Sequence, residues 1–185
     1  MRGMRETLRA VFPGLASTDR ELEAMELALA GLPSGTGLAV EYTRVFVGPE
    51  RAEAYPYESM YRDGEIMGQT TRQVAACYER AGLAVSAAFK DLPDHITAEL
   101  EFMACLCVQE LNARQQGDGK KSARFRRERE AFLEEHLAMW VPMFAERVTT
   151  RCTSPFYRGL ARLLREVTAA SASKVARREK SSTAP

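Results

Sequence analysis

The sequence has few of the residues that build metal and redox sites. Of its 185 residues, 2 are histidine and 4 are cysteine. Cys77, Cys105, Cys107 and Cys152 show no CxxC spacing, so we expect free thiols packed as small core residues. The sequence also has no HExxH and no Glu-x-x-His motif, which excludes the usual zinc and di-iron sites of helical proteins. We therefore expect no metal and no cofactor.

Long apolar runs are also absent. No stretch approaches the ~18 consecutive apolar residues of a membrane-spanning helix, and residues 1–6 are not followed by an apolar run of signal-peptide length. We expect a cytoplasmic protein without stable membrane insertion. The formal net charge of +1 gives no overall attraction to nucleic acid. Between Glu41 and Glu101, however, 11 acidic and 6 basic residues make the middle of the chain suited to a cationic partner.

A phosphate loop is missing as well. Residues 117–122 (GDGKKS) resemble one, but Arg114 stands where the first glycine belongs and the lysine–serine pair is interrupted. We interpret this stretch as a helix connection. Since neither a nucleophile–base pair nor a metal motif is present, we expect no enzymatic activity.

Helical periodicity recurs along the chain, and no segment alternates long enough to indicate a sheet. We predict an all-α fold, a single-domain helical bundle over residues 1–170, with a disordered basic tail over residues 171–185. Pro142 is expected to kink its helix. The predicted helix starts are a capping box of Thr18 and Glu21, then Asp94 after Pro93, Ser122, and Ser154 before Pro155.

The stretch 93–103 (PDHITAELEFM) holds one of the two histidines beside an acid. Asp94 is suited to cap the helix that follows, and the spacing predicts a buried face made of Ile96, Leu100, Met103, Cys107 and Leu111. His95 and Glu99 lie four residues apart, so they could bind a metal weakly or form a side-chain hydrogen bond, which is the more common arrangement. Adjacent residues diverge by about 100° around a helix, which excludes an Asp94–His95 catalytic dyad.

Three blocks of sequence together resemble one family. The blocks are 41–49 (EYTRVFVGP) with 55–61 (YPYESMY), then 93–103, and then 136–144 (HLAMWVPMF) with 154–160 (SPFYRGL). Their order and spacing are similar to those of the TorD/DmsD/NarJ cytoplasmic chaperones for molybdenum-containing redox enzymes, with most likeness to the TorD/DmsD branch. The chain differs from the family pattern in Val45, where leucine is usual, and in Glu50, where some members have an aromatic residue.

The resemblance implies an all-helical chaperone of anaerobic respiration that binds the twin-arginine signal peptide of a redox enzyme precursor. The chaperone would hold the catalytic subunit until its molybdenum cofactor has been inserted, before export. Reductases for sulfoxides, amine oxides or nitrate and formate dehydrogenases are all possible clients. The chaperone could be a monomer or a dimer that exchanges elements.

The resemblance assigns Asp94 and His95 to the signal-peptide site, with Tyr42, Val45, Tyr57 and Tyr61 lining the adjacent hollow. Glu58 and Glu99 are added on chemical grounds, because a twin-arginine leader needs carboxylates beside an apolar groove. These residues could instead have a purely structural role. Tyr42 and Val45 lie on a stripe that also suits the core, Tyr57 and Tyr61 could pin a loop, and Asp94 could act as a cap alone.

Two other classes of function remain open. One is a nucleotide-binding switch, which the missing phosphate loop argues against. The other is a basic helical nucleic-acid-binding domain, since 15 basic and 7 acidic residues follow from Lys120 onward. Those bases are spread around helices and in the tail, so a solvated surface is the more economical interpretation.

Overall fold

The computed structural model of the chain describes residues 22, 23, 25, 27, 36–48, 51–86 and 88–182. Leu22 and Met25 of the predicted N-terminal helix are buried. The capping box of Thr18 and Glu21, together with Glu50, lies outside the described residues.

The described residues form seven α-helices. Their bounds are α1 (Thr36–Tyr42), α2 (Glu58–Arg62), α3 (Gln69–Arg80), α4 (Ile96–Gln115), α5 (Gly119–Phe132), α6 (Ala138–Arg151) and α7 (Pro155–Ser182). Two π-helical segments, Thr43–Val47 and Leu133–Leu137, directly follow α1 and α5. Within the described ranges, β structure is limited to an isolated antiparallel bridge between Tyr57 and His95. The predicted all-α fold class is confirmed.

The chain divides into two compact units, each built from two separate stretches. The first unit comprises Met1–Tyr55 and Val141–Ser171, and the second comprises Pro56–Trp140 and Ala172–Pro185. Because each unit combines stretches that are far apart in sequence, neither is a separate sequence domain.

In the first unit, Glu41 fastens the start of α7 to α1. Its Oε1 accepts hydrogen bonds from the backbone N–H groups of Thr153 (2.6 Å) and Ser154 (3.2 Å), while both carboxylate oxygens accept from the Arg44 guanidinium. The hydrogen bonds from Arg44 outweigh burial and hold the pKa of Glu41 well below its usual range. Gly48 then turns the chain at φ +68°, where a Cβ would lie 2.1 Å from the Arg51 carbonyl oxygen.

The second unit is organised around the α4–α5 pair and an aromatic core. The rings of Tyr78 and Phe102 lie 4.5 Å apart, and those of Phe102 and Phe132 lie 4.8 Å apart. Gly117, with φ +74°, closes α4, and Asp118 caps α5 by accepting a hydrogen bond from the Lys121 N–H at 2.9 Å. The predicted cap at Ser122 is therefore wrong.

The predicted buried face of α4 is also wrong. The structure buries Ala98, Glu99, Phe102, Leu106 and Ala113, whereas Leu100, Cys107 and Leu111 are exposed. Both sides of this helix carry apolar residues, so periodicity alone could not select the buried side. Because the true buried face includes the polar Glu99, the opposite side of the helix had the more apolar sequence pattern.

The cysteines divide evenly between buried and exposed positions. Cys77 and Cys152 are buried, as predicted for core thiols, but Cys105 and Cys107 are exposed. All four are free, and no disulfide is formed.

The C-terminal part of the chain differs from the expected tail. Helix α7 continues to Ser182, and Val175 is buried. Alanine, lysine and arginine are frequent after residue 168 and favour helix, which accounts for the continuation. Pro142 lies inside α6, one turn after the π-helical segment Leu133–Leu137. Prolines and π-helical insertions are both common causes of helix bending, and the bend itself stays a prediction.

None of the helices in the described part of the chain is both long and apolar enough to cross a membrane.

Candidate functional site

Six of the eight predicted site residues come together in the second unit. They are Tyr57, Glu58, Tyr61, Asp94, His95 and Glu99. Two backbone hydrogen bonds join the segments that contain them, since the Glu58 N–H donates to the Asp94 carbonyl oxygen (3.0 Å) and the Ile96 N–H to that of Pro56 (2.9 Å). The start of α2 is therefore held beside the start of α4.

Asp94 caps a helix, but not the one that follows it in sequence. Its Oδ2 accepts a hydrogen bond from the Ser59 N–H in the first turn of α2, at 2.9 Å. The side chain is fully buried, and its Oδ1 has no hydrogen-bond partner among the described residues. The predicted cap at the start of α4 is formed by His95 instead.

His95 is a buried and neutral cap. Its Nδ1 accepts a hydrogen bond from the Thr97 N–H at 3.1 Å, so the ring proton is on Nε2, which lies 3.9 Å from Oδ2 of Asp91. Burial lowers the pKa of His95, and this effect outweighs the negative charges of Asp91 and Asp94, which act to raise it. The imidazole edge packs against Tyr57, with ring centroids 5.3 Å apart. The Tyr57 hydroxyl donates to Asp91 Oδ1 at 2.7 Å, so His95 and Tyr57 together support Asp91.

Glu58 forms a buried ion pair with the second histidine of the chain. Its Oε2 lies 2.9 Å from Nδ1 of His136, and its Oε1 accepts a hydrogen bond from Arg62 at 2.5 Å. Burial lowers the pKa of His136, but hydrogen bonds with Cys77 and Glu58 outweigh it and raise that pKa to about 9. His136 is therefore an imidazolium at neutral pH.

Glu99 is a fully buried acid that interacts with Trp140 and with Glu58. Its Oε2 accepts a hydrogen bond from Nε1 of Trp140 at 3.0 Å, and its Oε1 has no partner within the described ranges. Burial, assisted by the negative charge of Glu58, raises the pKa of Glu99 well above its usual value, which favours the protonated carboxyl group. Tyr61 packs on Trp140 with ring centroids 5.4 Å apart. The predicted side-chain bond between His95 and Glu99 is replaced by these contacts.

An apolar hollow lies next to His95 in the second unit. It is lined by Tyr78, Leu83, Ala84, Val85, Ser86, Phe89, Ala98, Glu101, Phe102 and Cys105. Phe89 connects the two features, because its ring centroid lies 6.1 Å from that of His95. Glu101 is exposed, and the Asp91 side chain is 37% exposed. Asp91, which lies beside His95, and Glu101, which lines the hollow, are therefore accessible carboxylates, whereas Glu58, Asp94 and Glu99 are buried.

Tyr42 and Val45 belong to the first unit. Tyr42 is 42% exposed and packs on Phe46 at 5.2 Å between ring centroids. Val45 is fully buried, and its carbonyl oxygen accepts a hydrogen bond from the Ala54 N–H at 2.9 Å. The structure therefore gives Val45 a packing role and leaves only Tyr42 with an accessible surface.

The sequence alone missed four residues of this region, which are Asp91, Glu101, His136 and Trp140. His136 and Trp140 were assigned to helix packing, yet they are the partners of Glu58 and Glu99. The scarcity of histidine was the available signal, since both histidines turn out to lie against acids. No sequence pattern indicated a role for Asp91, because that role depends on a hydrogen bond from the distant Tyr57 hydroxyl. In the part of the chain that the structure describes, no group of three or more His, Cys, Asp or Glu residues is arranged to bind a metal ion.

Comparison with known proteins identifies the family of the chain. A family model described as nitrate reductase delta subunit matches residues 13–146, which include the paired starts of α2 and α4. The chain belongs to this family, the TorD/DmsD/NarJ group. The resemblance drawn from the three sequence blocks is confirmed.

Several TorD-type relatives are similar over much of the chain. A chaperone protein TorD of Vibrio cholerae is 29% identical over 164 residues, 84% of this chain and 73% of its own length. A TorD protein of Photobacterium profundum is 30% identical over 129 residues, 69% of this chain and 58% of its own length. A selenate reductase assembly chaperone protein of Thauera selenatis is 35% identical over 112 residues, 60% of this chain. The match spans 57% of the length of that relative.

Proposed function

We propose that this TorD/DmsD/NarJ family member is a cytoplasmic maturation chaperone for a molybdenum-containing redox enzyme. It binds the twin-arginine leader of the catalytic-subunit precursor and holds the precursor until the cofactor has been inserted, before export. The observation that carries the proposal is the apolar hollow beside His95, with two accessible carboxylates close to it. The names of relatives, which include a selenate reductase assembly chaperone and TorD chaperones, support a client of this class.

The chemistry of the leader fits the hollow. A twin-arginine leader has two guanidinium groups ahead of an apolar segment. Leu83, Val85 and Phe89 offer a surface for the apolar segment, while Asp91 and Glu101 can form paired hydrogen bonds with the guanidinium groups. Both acids are exposed enough to bind without rearrangement of the fold.

The buried residues of the predicted site have a supporting role in this proposal. Asp94 and His95 cap α2 and α4, and Tyr57 orients Asp91 through the 2.7 Å hydrogen bond to Oδ1. Moving Asp94 or Glu99 to the surface would break buried contacts at a cost of several kcal/mol. Substitutions at these positions therefore act through the shape of the hollow.

The proposal is tested by titrating a labelled synthetic twin-arginine leader against the full chain. The double variant Asp91→Asn, Glu101→Gln removes both accessible charges and is expected to weaken binding by roughly tenfold or more. The matched control is Glu65→Gln, Glu79→Gln, which removes two exposed charges from other parts of the second unit. Unchanged affinity in the first double variant would overturn the assignment of Asp91 and Glu101.

The leader itself supplies a second control. Replacing its two arginines by lysines keeps the charge but removes the planar paired donors, so binding should weaken. If the lysine leader and the arginine leader bind equally, the site recognises charge alone. If neither binds, the proposed function is wrong.

A further inference from the structure

The Cys77 sulfur lies within a side-chain cluster that the proposed chaperone function does not use. Its Sγ is 3.4 Å from Nε2 of His136 and accepts a hydrogen bond from Nη2 of Arg80 at 3.1 Å. The other ring nitrogen of His136 is 2.9 Å from Glu58 Oε2. Thiol, imidazole and carboxylate thus stand in the order found at nucleophilic cysteines, where the carboxylate orients the base.

The protonation of His136 determines the direction of these hydrogen bonds. With a pKa of about 9, the ring carries a proton on both nitrogens at neutral pH, so Nε2–H donates to the sulfur. Arg80 donates a second charged N–H to the same atom. Charged N–H donors at a sulfur atom stabilise negative charge on it during a nucleophilic attack.

A small reagent can reach the sulfur from a hollow in the second unit. Cys77 is 8% exposed and lines this hollow together with Arg62, Gln73, Ala76, Arg80, Glu134, Glu135, His136 and Met139. Cys77 also lines a second hollow, whose lining includes Arg127 and Glu128. Because little of Cys77 is exposed, a small uncharged molecule reaches its sulfur more easily than a bulky thiol reagent.

We propose that Cys77 is a peroxide-reactive thiol, converted to a sulfenic acid by hydrogen peroxide or a small organic hydroperoxide. The thiolate sulfur attacks one peroxide oxygen, forming the S–O bond as the O–O bond breaks. The leaving oxygen keeps the electron pair of that bond and takes the Nε2 proton of His136, so it departs as water or as an alcohol. The sulfur loses two electrons, the peroxide gains two, and His136 recovers its proton from solvent.

Each neighbour has a distinct part in this step. His136 donates the proton to the leaving oxygen, and Arg80 stabilises the negative sulfur. Glu58 does not touch the sulfur and acts as a positioning residue, because it holds the other nitrogen of His136. The established free state of the four cysteines leaves Cys77 available for the reaction.

The experiment follows the oxidation of each cysteine in the reduced full-length protein. Dilute hydrogen peroxide is added at pH 7 with dimedone to trap sulfenic acid, and the sites are read by mass spectrometry after tryptic digestion. Cleavage after arginine and lysine places Cys77 in peptide 73–80, Cys105 and Cys107 in peptide 91–114, and Cys152 in peptide 152–158. The exposed Cys105 and Cys107 thereby serve as an internal reference for ordinary thiols.

The expected result is that Cys77 is labelled about tenfold faster than Cys105 and Cys107, despite its burial. Arg80→Gln and His136→Gln should each slow its labelling by about tenfold, whereas the control Arg72→Gln on the same helix should leave the rate unchanged. Loss of folding cannot imitate this result, because an unfolded variant exposes Cys77 and labels it faster. Labelling of Cys77 no faster than that of Cys105 and Cys107, or equal rates in wild type and Arg80→Gln, would overturn the proposal.

Discussion

At the scale of single residues, the two histidines have opposite protonation states for identifiable reasons. His95 accepts a backbone N–H at Nδ1 and is buried against aromatic rings, so its charged form is disfavoured. His136 lies between a carboxylate and a sulfur, and its charged form is favoured. Since both side chains are buried, their neighbours rather than their exposure decide which one carries a charge.

Replacing His136 by glutamine should destabilise the protein by about 3 kcal/mol near pH 7, because the Glu58 charge stays buried with Arg62 as its remaining cation. The His136 contribution is fully present below its unfolded pKa of 6.5 and is lost as the pH rises through about 9. Urea unfolding of wild type and His136→Gln from pH 6 to pH 10 measures this loss. Equal stability of the two proteins at pH 6 would contradict the ion pair.

Replacing Glu99 by glutamine should raise the free energy of unfolding relative to wild type at higher pH. In wild type the folded chain retains a proton that the unfolded chain releases above pH 4.5, so this group lowers stability as the pH rises. Glutamine keeps an oxygen for the Trp140 N–H and does not ionise. Relative to wild type, Glu99→Gln should gain about 1 kcal/mol or more between pH 5 and pH 8 in urea unfolding.

The exposed Glu101 on the same helix provides the control for Glu99. Glu101→Gln makes the same chemical change at an exposed position and is measured beside Glu99→Gln over the same pH range. A parallel pH dependence of Glu99→Gln and wild type would show that Glu99 is ionised in the folded protein.

At the scale of helices, the sequence predicted the positions of the helices more accurately than the side of each helix that is buried. Helix α4 was expected to begin near Asp94 and to end at the connection that starts with Gly117, and the structure has it at Ile96–Gln115. Its buried side was wrong because it is made of Phe102 and Leu106 together with the carboxyl group of Glu99. A buried glutamic acid is predictable only when its partners are known, and Trp140 lies 41 residues later in the sequence.

The cap on α2 could not be predicted either, since the residue that forms it is 35 positions away. Asp94→Ala removes the acceptor for the Ser59 N–H and should destabilise the protein by about 1–2 kcal/mol. Asp94→Asn retains a side-chain oxygen and should cost roughly half as much. Urea unfolding gives the two free energies, and hydrogen exchange of the Ser59 amide reports the cap directly. Equal losses in both variants would mean that the hydrogen bond contributes nothing to stability.

At the scale of the whole molecule, the family was predictable because it depends on the order and spacing of three motifs. The family match over residues 13–146 confirms that prediction. The accessible part of the site was not predictable, because a motif specifies which residue occurs and not which one faces solvent. Glu58, Asp94 and Glu99 are the acids that the sequence assigned to the site and are fully buried, while the exposed Asp91 and Glu101 carry the proposed contacts.

Thermal unfolding with added ligand separates a leader-binding chaperone from a nucleotide-binding switch in one measurement. A ligand that binds only the folded chain stabilises it by about 2.7 kcal/mol when present at one hundred times its Kd. For a chain of this size, that corresponds to a rise in Tm of about 5–10 °C. The twin-arginine leader should produce such a rise in differential scanning fluorimetry, whereas guanine nucleotides at about millimolar concentration should produce none. If a guanine nucleotide raises the Tm and the leader does not, the nucleotide-binding switch is the better supported function. The hollow beside His95 would then not be a peptide site.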